Sequence, residues 1–106
     1  MRSEYLQDCL NPNSKINPEE FAGLYYRVVY DFFGRHVLIE AYSESHELTR
    51  SYRFIRKGRN IIRSEAFRPD GELEYYTIYH HNFFGWPLST ERHFPDGSVV
   101  ITESES

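Results

Sequence analysis

Phe67-Arg68-Pro69-Asp70-Gly71 returns as His93-Phe94-Pro95-Asp96-Gly97 in this chain of 106 residues. Each Pro-Asp-Gly lies between runs rich in Tyr, Phe, Ile and Val, with Glu65 or Glu91 just upstream. Proline presets φ for a turn, Asp bonds its own backbone, and Gly accepts a positive φ. The echo therefore marks two sharp reversals between strands.

Working outward, turn chemistry recurs at Gly34, the polar stretch Ser43 to Glu47, Lys57-Gly58-Arg59-Asn60 and Asn82 to Gly85. Turn signals every 8–12 residues with no long helical run predict an all-β meander, sandwich or small barrel. Strands are expected near 24–32, 36–43, 49–57, 60–68, 72–80, 87–94 and 98–103. The N-terminal 20 residues read differently. Asn11-Pro12-Asn13-Ser14 is loop chemistry, and Asn17-Pro18-Glu19-Glu20 is a helix start: an Asn cap, Pro at the first position and acids in the first turn. Between 21 and 33, Phe21, Leu24, Tyr25, Val28 and Phe32 fit a helical stripe. The β-rich Tyr-Tyr-Arg-Val-Val-Tyr and Gly23 favour a strand instead. The expected fold is mainly β. It is an antiparallel meander of six to seven strands over 21–103, a curled sheet or half-barrel, behind a short N-terminal helix within 1–20. Residues 103–106, Glu-Ser-Glu-Ser, read as a frayed polar tail.

Composition agrees with one domain. Aromatic residues make up 17% of the chain: nine Tyr, eight Phe and one Trp. Such residues favour pleated, half-buried surfaces. A single cysteine, Cys9, excludes an intrachain disulfide. The N-terminus lacks the apolar run of a signal peptide, and no stretch approaches the roughly 18 apolar residues of a membrane span. A soluble, cytoplasmic protein is expected.

A looser repeat underlies the turns. Tyr30 leads to Gly34 and Glu40-Ala41-Tyr42; Tyr52 to Gly58 and Glu65-Ala66-Phe67; Tyr79 to Gly85 and Glu91-Arg92-His93-Phe94. The three glycines are 24 and 27 residues apart, a period typical of stacked supersecondary units. Over roughly residues 24–103 this pattern resembles MORN-type repeats (membrane occupation and recognition nexus), whose bacterial variant occurs in proteins described as antitoxins. The Tyr-x-Gly rhythm is kept in part at Tyr30/Gly34 and Tyr79/Gly85. The usual Gly-x-Trp-x-Tyr opening is absent, Trp86 following a Gly directly. The resemblance implies a scaffold that binds proteins or membranes and supplies no catalytic residues.

Four features carry candidate chemistry. Seven of the twelve basic residues fall between 50 and 68. Among them Arg53 and Arg56, with Tyr52, could form a nucleic-acid or nucleotide surface or meet an acidic protein partner; alternatively the basic residues pair with Glu on neighbouring strands. The net charge of −4 speaks against general nucleic-acid binding. His80, His81 and His93 invite a metal reading, but the expected hairpin sets His80 opposite Leu88 and His93 opposite Tyr75, roughly 17 Å apart. No metal or other cofactor is expected. Glu65, Arg63 and His93 could make a metal-free acid–base site, whereas Cys9 lacks a neighbouring His for nucleophilic chemistry. The sharpest candidate is Asn82-Phe83-Phe84-Gly85-Trp86-Pro87. Its rings either plug into a partner or fold back to cap the chain's own core, and Phe32-Phe33-Gly34 is a similar tip that could pack beside it. Strands whose two faces both carry rings imply that the second face is also covered, by the N-terminal segment, by curling of the sheet, or by self-association or another protein. The sequence thus points to a non-catalytic protein-binding module. The alternatives are nucleic-acid binding at 50–68, or a small β enzyme or ligand-binding half-barrel.

Overall fold

The structure, a computed structural model, describes residues 2–103, and the expected tail at 104–106 lies outside them. Eight antiparallel strands form a single sheet in chain order: β1 (Arg2–Leu6), β2 (Tyr25–Tyr30), β3 (His36–Tyr42), β4 (Leu48–Lys57), β5 (Asn60–Phe67), β6 (Leu73–His81), β7 (Pro87–His93) and β8 (Val99–Glu103). Strands β1 and β8 are its two edges, so the sheet is open. The radius of gyration is 15.4 Å, larger than the about 13 Å of a compact domain of this length.

Five of the hairpin turns share one backbone solution. The first turn residue donates to the carbonyl four residues on, and the fourth donates back to the first: Asp31–Arg35, Ser43–Glu47, Arg68–Glu72, Asn82–Trp86 and Phe94–Ser98. The fourth residue is always left-handed, at φ 79° in Gly34, 65° in His46, 88° in Gly71, 85° in Gly85 and 89° in Gly97. This is a three-residue loop with a bulge. It explains why Pro-Asp-Gly and Asx-Phe-Phe-Gly, different in sequence, close the same hairpin.

The expected helix does not form, and no helix occurs among the described residues. Asn17 does cap a turn, its carbonyl accepting from Glu20 N–H and Phe21 N–H at 3.0 Å each. Gly23 and the return into β2 stop propagation after one turn, before it repays its nucleation cost. The eighth strand, β1, lies in the segment expected to be loop or helix. Arg-Ser-Glu-Tyr-Leu has little β-branched content, and β1 is held by pairing with β2.

Alternation gives the sheet two unlike faces. One carries Leu6, Val28 and Ile39, the buried cluster, with Cys9, Tyr26, Tyr30, Tyr52 and Phe54 packed against it. The β1–β2 connection folds back over this face, tied by Gln7 N–H to Ser14 O (2.9 Å) and Ile16 N–H to Tyr5 O (3.0 Å). Farther along, Ala66 and Thr77 are buried, and Arg92 covers the Tyr75 ring at 4.6 Å. Ala66 stands between Tyr52 and Tyr75 on the two flanking strands. Ala66→Leu is therefore expected to overpack this point and cost about 1–3 kcal/mol in chemical denaturation; a neutral result would show open space there.

The other face is a charge ladder. Glu40 pairs with Arg27 (2.7 Å), Glu65 with Arg63 (3.2 Å) and Arg53 (3.9 Å), and Glu91 with His80 and, at 3.9 Å, His93. The repeat glutamates Glu40 and Glu65 thus each hold arginines from their own or neighbouring strands, and Glu91 holds two imidazoles. Tyr25 is buried on this face, its ring stacked on Tyr42 at 5.2 Å and its hydroxyl 2.9 Å from His46 Nδ1. That contact gives His46, the one left-handed non-glycine among the described residues, a side-chain role.

Candidate functional site: an aromatic end

A meander alternates its turns between two ends of the sheet. The β2–β3, β4–β5 and β6–β7 turns share one end, so Phe32, Phe33, Lys57, Gly58, Arg59, Phe83, Phe84 and Trp86 gather there. The rings are out in solvent: Phe32 94%, Phe33 77%, Phe83 98%, Phe84 81% and Trp86 68% exposed. They do not fold back to cap the core.

The two Phe-Phe tips are copies of one another. Asp31 Oδ1 accepts from Phe33 N–H (2.9 Å) and Arg35 N–H (3.0 Å). Asn82 Oδ1 accepts from Phe84 N–H (2.9 Å) and Trp86 N–H (3.0 Å). In each, the paired rings meet edge to face at 5.6 Å. The backbone hydrogen bonds to Asp31, led by that from Arg35, hold its carboxyl below the usual range.

The tips do not pack on each other. The Lys57–Asn60 turn stands between them, and four strand spacings separate them by roughly 19 Å. The row is nevertheless fastened. Arg35 bonds Asp31 (3.0 Å) and reaches across to the Gly58 carbonyl. A Cβ on Gly85 would come within 3.3 Å of the Asn60 side chain. The positive φ favours glycine there, and any Cβ would also press the Asn60 side chain.

Charge divides the same way. The aromatic end carries Arg35, Arg56, Lys57 and Arg59 against Asp31. The opposite turns carry Glu44, Glu47, Asp70, Glu72 and Asp96 against Arg68.

The basic window 50–68 is largely consumed by pairing. Arg50 binds Glu74 (2.9 Å), Arg53 and Arg63 bind Glu65, and Arg68 lies 4.0 Å from Glu72. Arg56 donates to the His36 carbonyl (3.2 and 3.0 Å). Tyr52 packs on the core face and Arg53 points from the other, so Tyr52, Arg53 and Arg56 do not form one surface. Lys57 and Arg59 remain exposed in the turn.

His80 pairs with Ser89 and His93 with Tyr76. This is a one-residue slip from the expected register, and it lets Glu91 bridge both imidazoles. Among the described residues no cluster of three or more His, Cys, Asp or Glu side chains could hold a metal ion. The trio Glu65, Arg63 and His93 does share a face. Tyr76 stands between Glu65 and His93, with Arg63 over its ring (4.1 Å) and His93 stacked on it (4.6 Å). Its carboxylate is occupied by two arginines and its imidazole by a ring, an arrangement that locks strands together. Burial, then Asp8, pushes the Cys9 thiol up, which disfavours the nucleophilic thiolate.

His36 lies edge-on to Phe54 at 4.9 Å. Burial, then the Arg56 guanidinium, holds its imidazole below its usual range. The folded chain keeps this ring neutral where the unfolded chain binds a proton. Its contribution to stability is complete above the unfolded value, about 6.5, and is lost as pH falls through the folded value. Between pH 7.5 and 5, His36→Gln should lose less stability in urea than the unchanged chain. Equal losses would show that this ring does not drive the acid side of the profile.

The second echo, Asp31-Phe32-Phe33-Gly34 against Asn82-Phe83-Phe84-Gly85, was visible in the sequence and locates both tips. Their placement at one end already follows from the expected meander order; that their rings stand in solvent is decided by the structure. Comparison with protein-family models, with curated proteins and with solved structures finds no match for this chain.

Proposed function

We propose that this chain is a non-catalytic protein-binding module that grips another protein through its aromatic end, in the manner of an inhibitor or antitoxin. The observation that carries this reading is five solvent-exposed rings on turns already fixed by side-chain and cross-turn hydrogen bonds. Exposed rings in this number mark an interaction surface. Preformed loops lose little entropy on binding. Arg35, Lys57 and Arg59 between the rings favour an apolar partner surface with an acidic rim. The repeat resemblance implies a binding scaffold.

The test is complex formation by the intact chain and by a Phe84→Ser/Trp86→Ser variant, first against the proteome of the host cell, then with the purified partner. The expected complex survives high salt and is lost in the variant. Unchanged affinity in a folded variant overturns the reading. Single-stranded nucleic acid is the second reading, favoured by the same alternation of cations with rings. It predicts steep loss of binding with salt and on Lys57→Glu/Arg59→Glu.

A further inference from the structure

We infer that β8 pairs with β8 of a second copy of this chain, antiparallel about a two-fold axis at Ile101, so that two sheets become one. The two edges of the sheet are treated differently. Strand β1 is guarded: Leu6 bridges to Lys15, Ile16 N–H bonds Tyr5 O, and Lys15 and Arg2 pair with Glu4. Among the described residues strand β8 is bonded to β7 alone, and all five of its residues are exposed. Strand β8 has no proline, lysine or bulge, devices that blunt an edge, and its one charge, Glu103, stands at its last position. Ile101 is 63% exposed, although β-branched apolar residues are the ones that gain most from a cross-strand neighbour.

The occupant follows from geometry. Pairing β8 on β1 of another copy would be head-to-tail, running on into a ring or a filament, and the Lys15 segment obstructs it. Pairing β8 on itself closes after two copies. One antiparallel register matches all five residues of each strand: Ile101 meets Ile101, Val100 meets Thr102, and Val99 meets Glu103 of the second copy. Five residues bury well under the about 800 Å² per partner of a standard interface, so the dimer is weak and dependent on concentration. An axis perpendicular to the sheet reverses strand direction. If the aromatic end binds protein as proposed above, the dimer therefore presents two such ends facing opposite ways, and joins two partner molecules.

Sedimentation velocity over a concentration series of the full chain tests this. The expected result is a monomer–dimer shift for the unchanged chain. Ile101→Lys should remain monomeric at every concentration with an unaltered unfolding midpoint. Phe84→Ser/Trp86→Ser should dimerise as before, so that failure here is separable from failure of the aromatic-end reading. Register is tested by oxidation. Opposed Cα atoms in an antiparallel pair lie about 4.5–5.5 Å apart, within disulfide reach. Ile101→Cys should give a covalent dimer above the background of the chain's own Cys9. Val100→Cys, with its twin about 8 Å away by strand geometry, should not. A chain that stays monomeric throughout, a dimer that survives Ile101→Lys, or cross-linking from 100 and not from 101 overturns the inference.

Discussion

Leu6→Ala is expected to lower the stability of this chain by about 2–5 kcal/mol, the range for removing a fully enclosed leucine. Leu6 has no exposed surface and packs with Val28 and Ile39. It is also the residue at which β1 pairs with Tyr26 on one side and Lys15 on the other. Few side chains share its burden. The buried apolar residues among those described are Leu6, Tyr25, Val28, Ile39 and Ala66. A domain is stable by only about 5–15 kcal/mol in total, so the loss removes a large share. Urea denaturation measures the total. Amide exchange should show β1 and β2 opening first, with β5 to β7 less affected. A loss under about 1 kcal/mol would place the stabilising centre elsewhere, in the ladder of Glu40, Glu65 and Glu91.

Phe84→Ser/Trp86→Ser is expected to weaken the partner complex by about 30- to 1,000-fold, which corresponds to about 2–4 kcal/mol. Large aromatic side chains at the centre of an interface carry energies of that size because they leave water completely on binding. In the free chain they have not left it, Phe84 and Trp86 being 81% and 68% exposed. The same substitutions should therefore change folding stability by no more than about 0.5 kcal/mol. The Asn82 side chain, which holds the turn through backbone N–H groups, is left intact. Calorimetric titration with the purified partner gives the first quantity and urea denaturation the second. A large stability loss with unchanged affinity would mean the rings serve the fold and not a partner.

Several elements were legible because local chemistry fixes them. Pro69-Asp70-Gly71 and Pro95-Asp96-Gly97 turn where they should, since each Gly is the left-handed residue of its hairpin. The seven expected strands lie within one or two residues of β2 to β8. Strand β1 was not legible, because its pairing with β2 bridges an 18-residue connection and leaves no local signature. The Asn17 turn carried correct capping chemistry, but a cap does not determine how far a helix runs. The histidines show the cost of a single-residue register error. Placing His80 opposite Leu88 instead of Ser89 separates two rings that Glu91 in fact bridges.

Residue chemistry along the chain thus determined that it reverses repeatedly into antiparallel strands, because proline, glycine and Asx side chains act within four or five residues. It also set the abundance of rings and the two Asx-Phe-Phe-Gly tips. Tertiary structure alone decided which rings are enclosed and which stand in water. That depends on strand order, on bulge-shifted register and on how far the β1–β2 connection reaches across one face. A sheet in a single layer has one short covering segment, so Tyr26, Tyr30 and Tyr52 pack against the core while Phe32, Phe33, Phe83 and Phe84 remain at an open end.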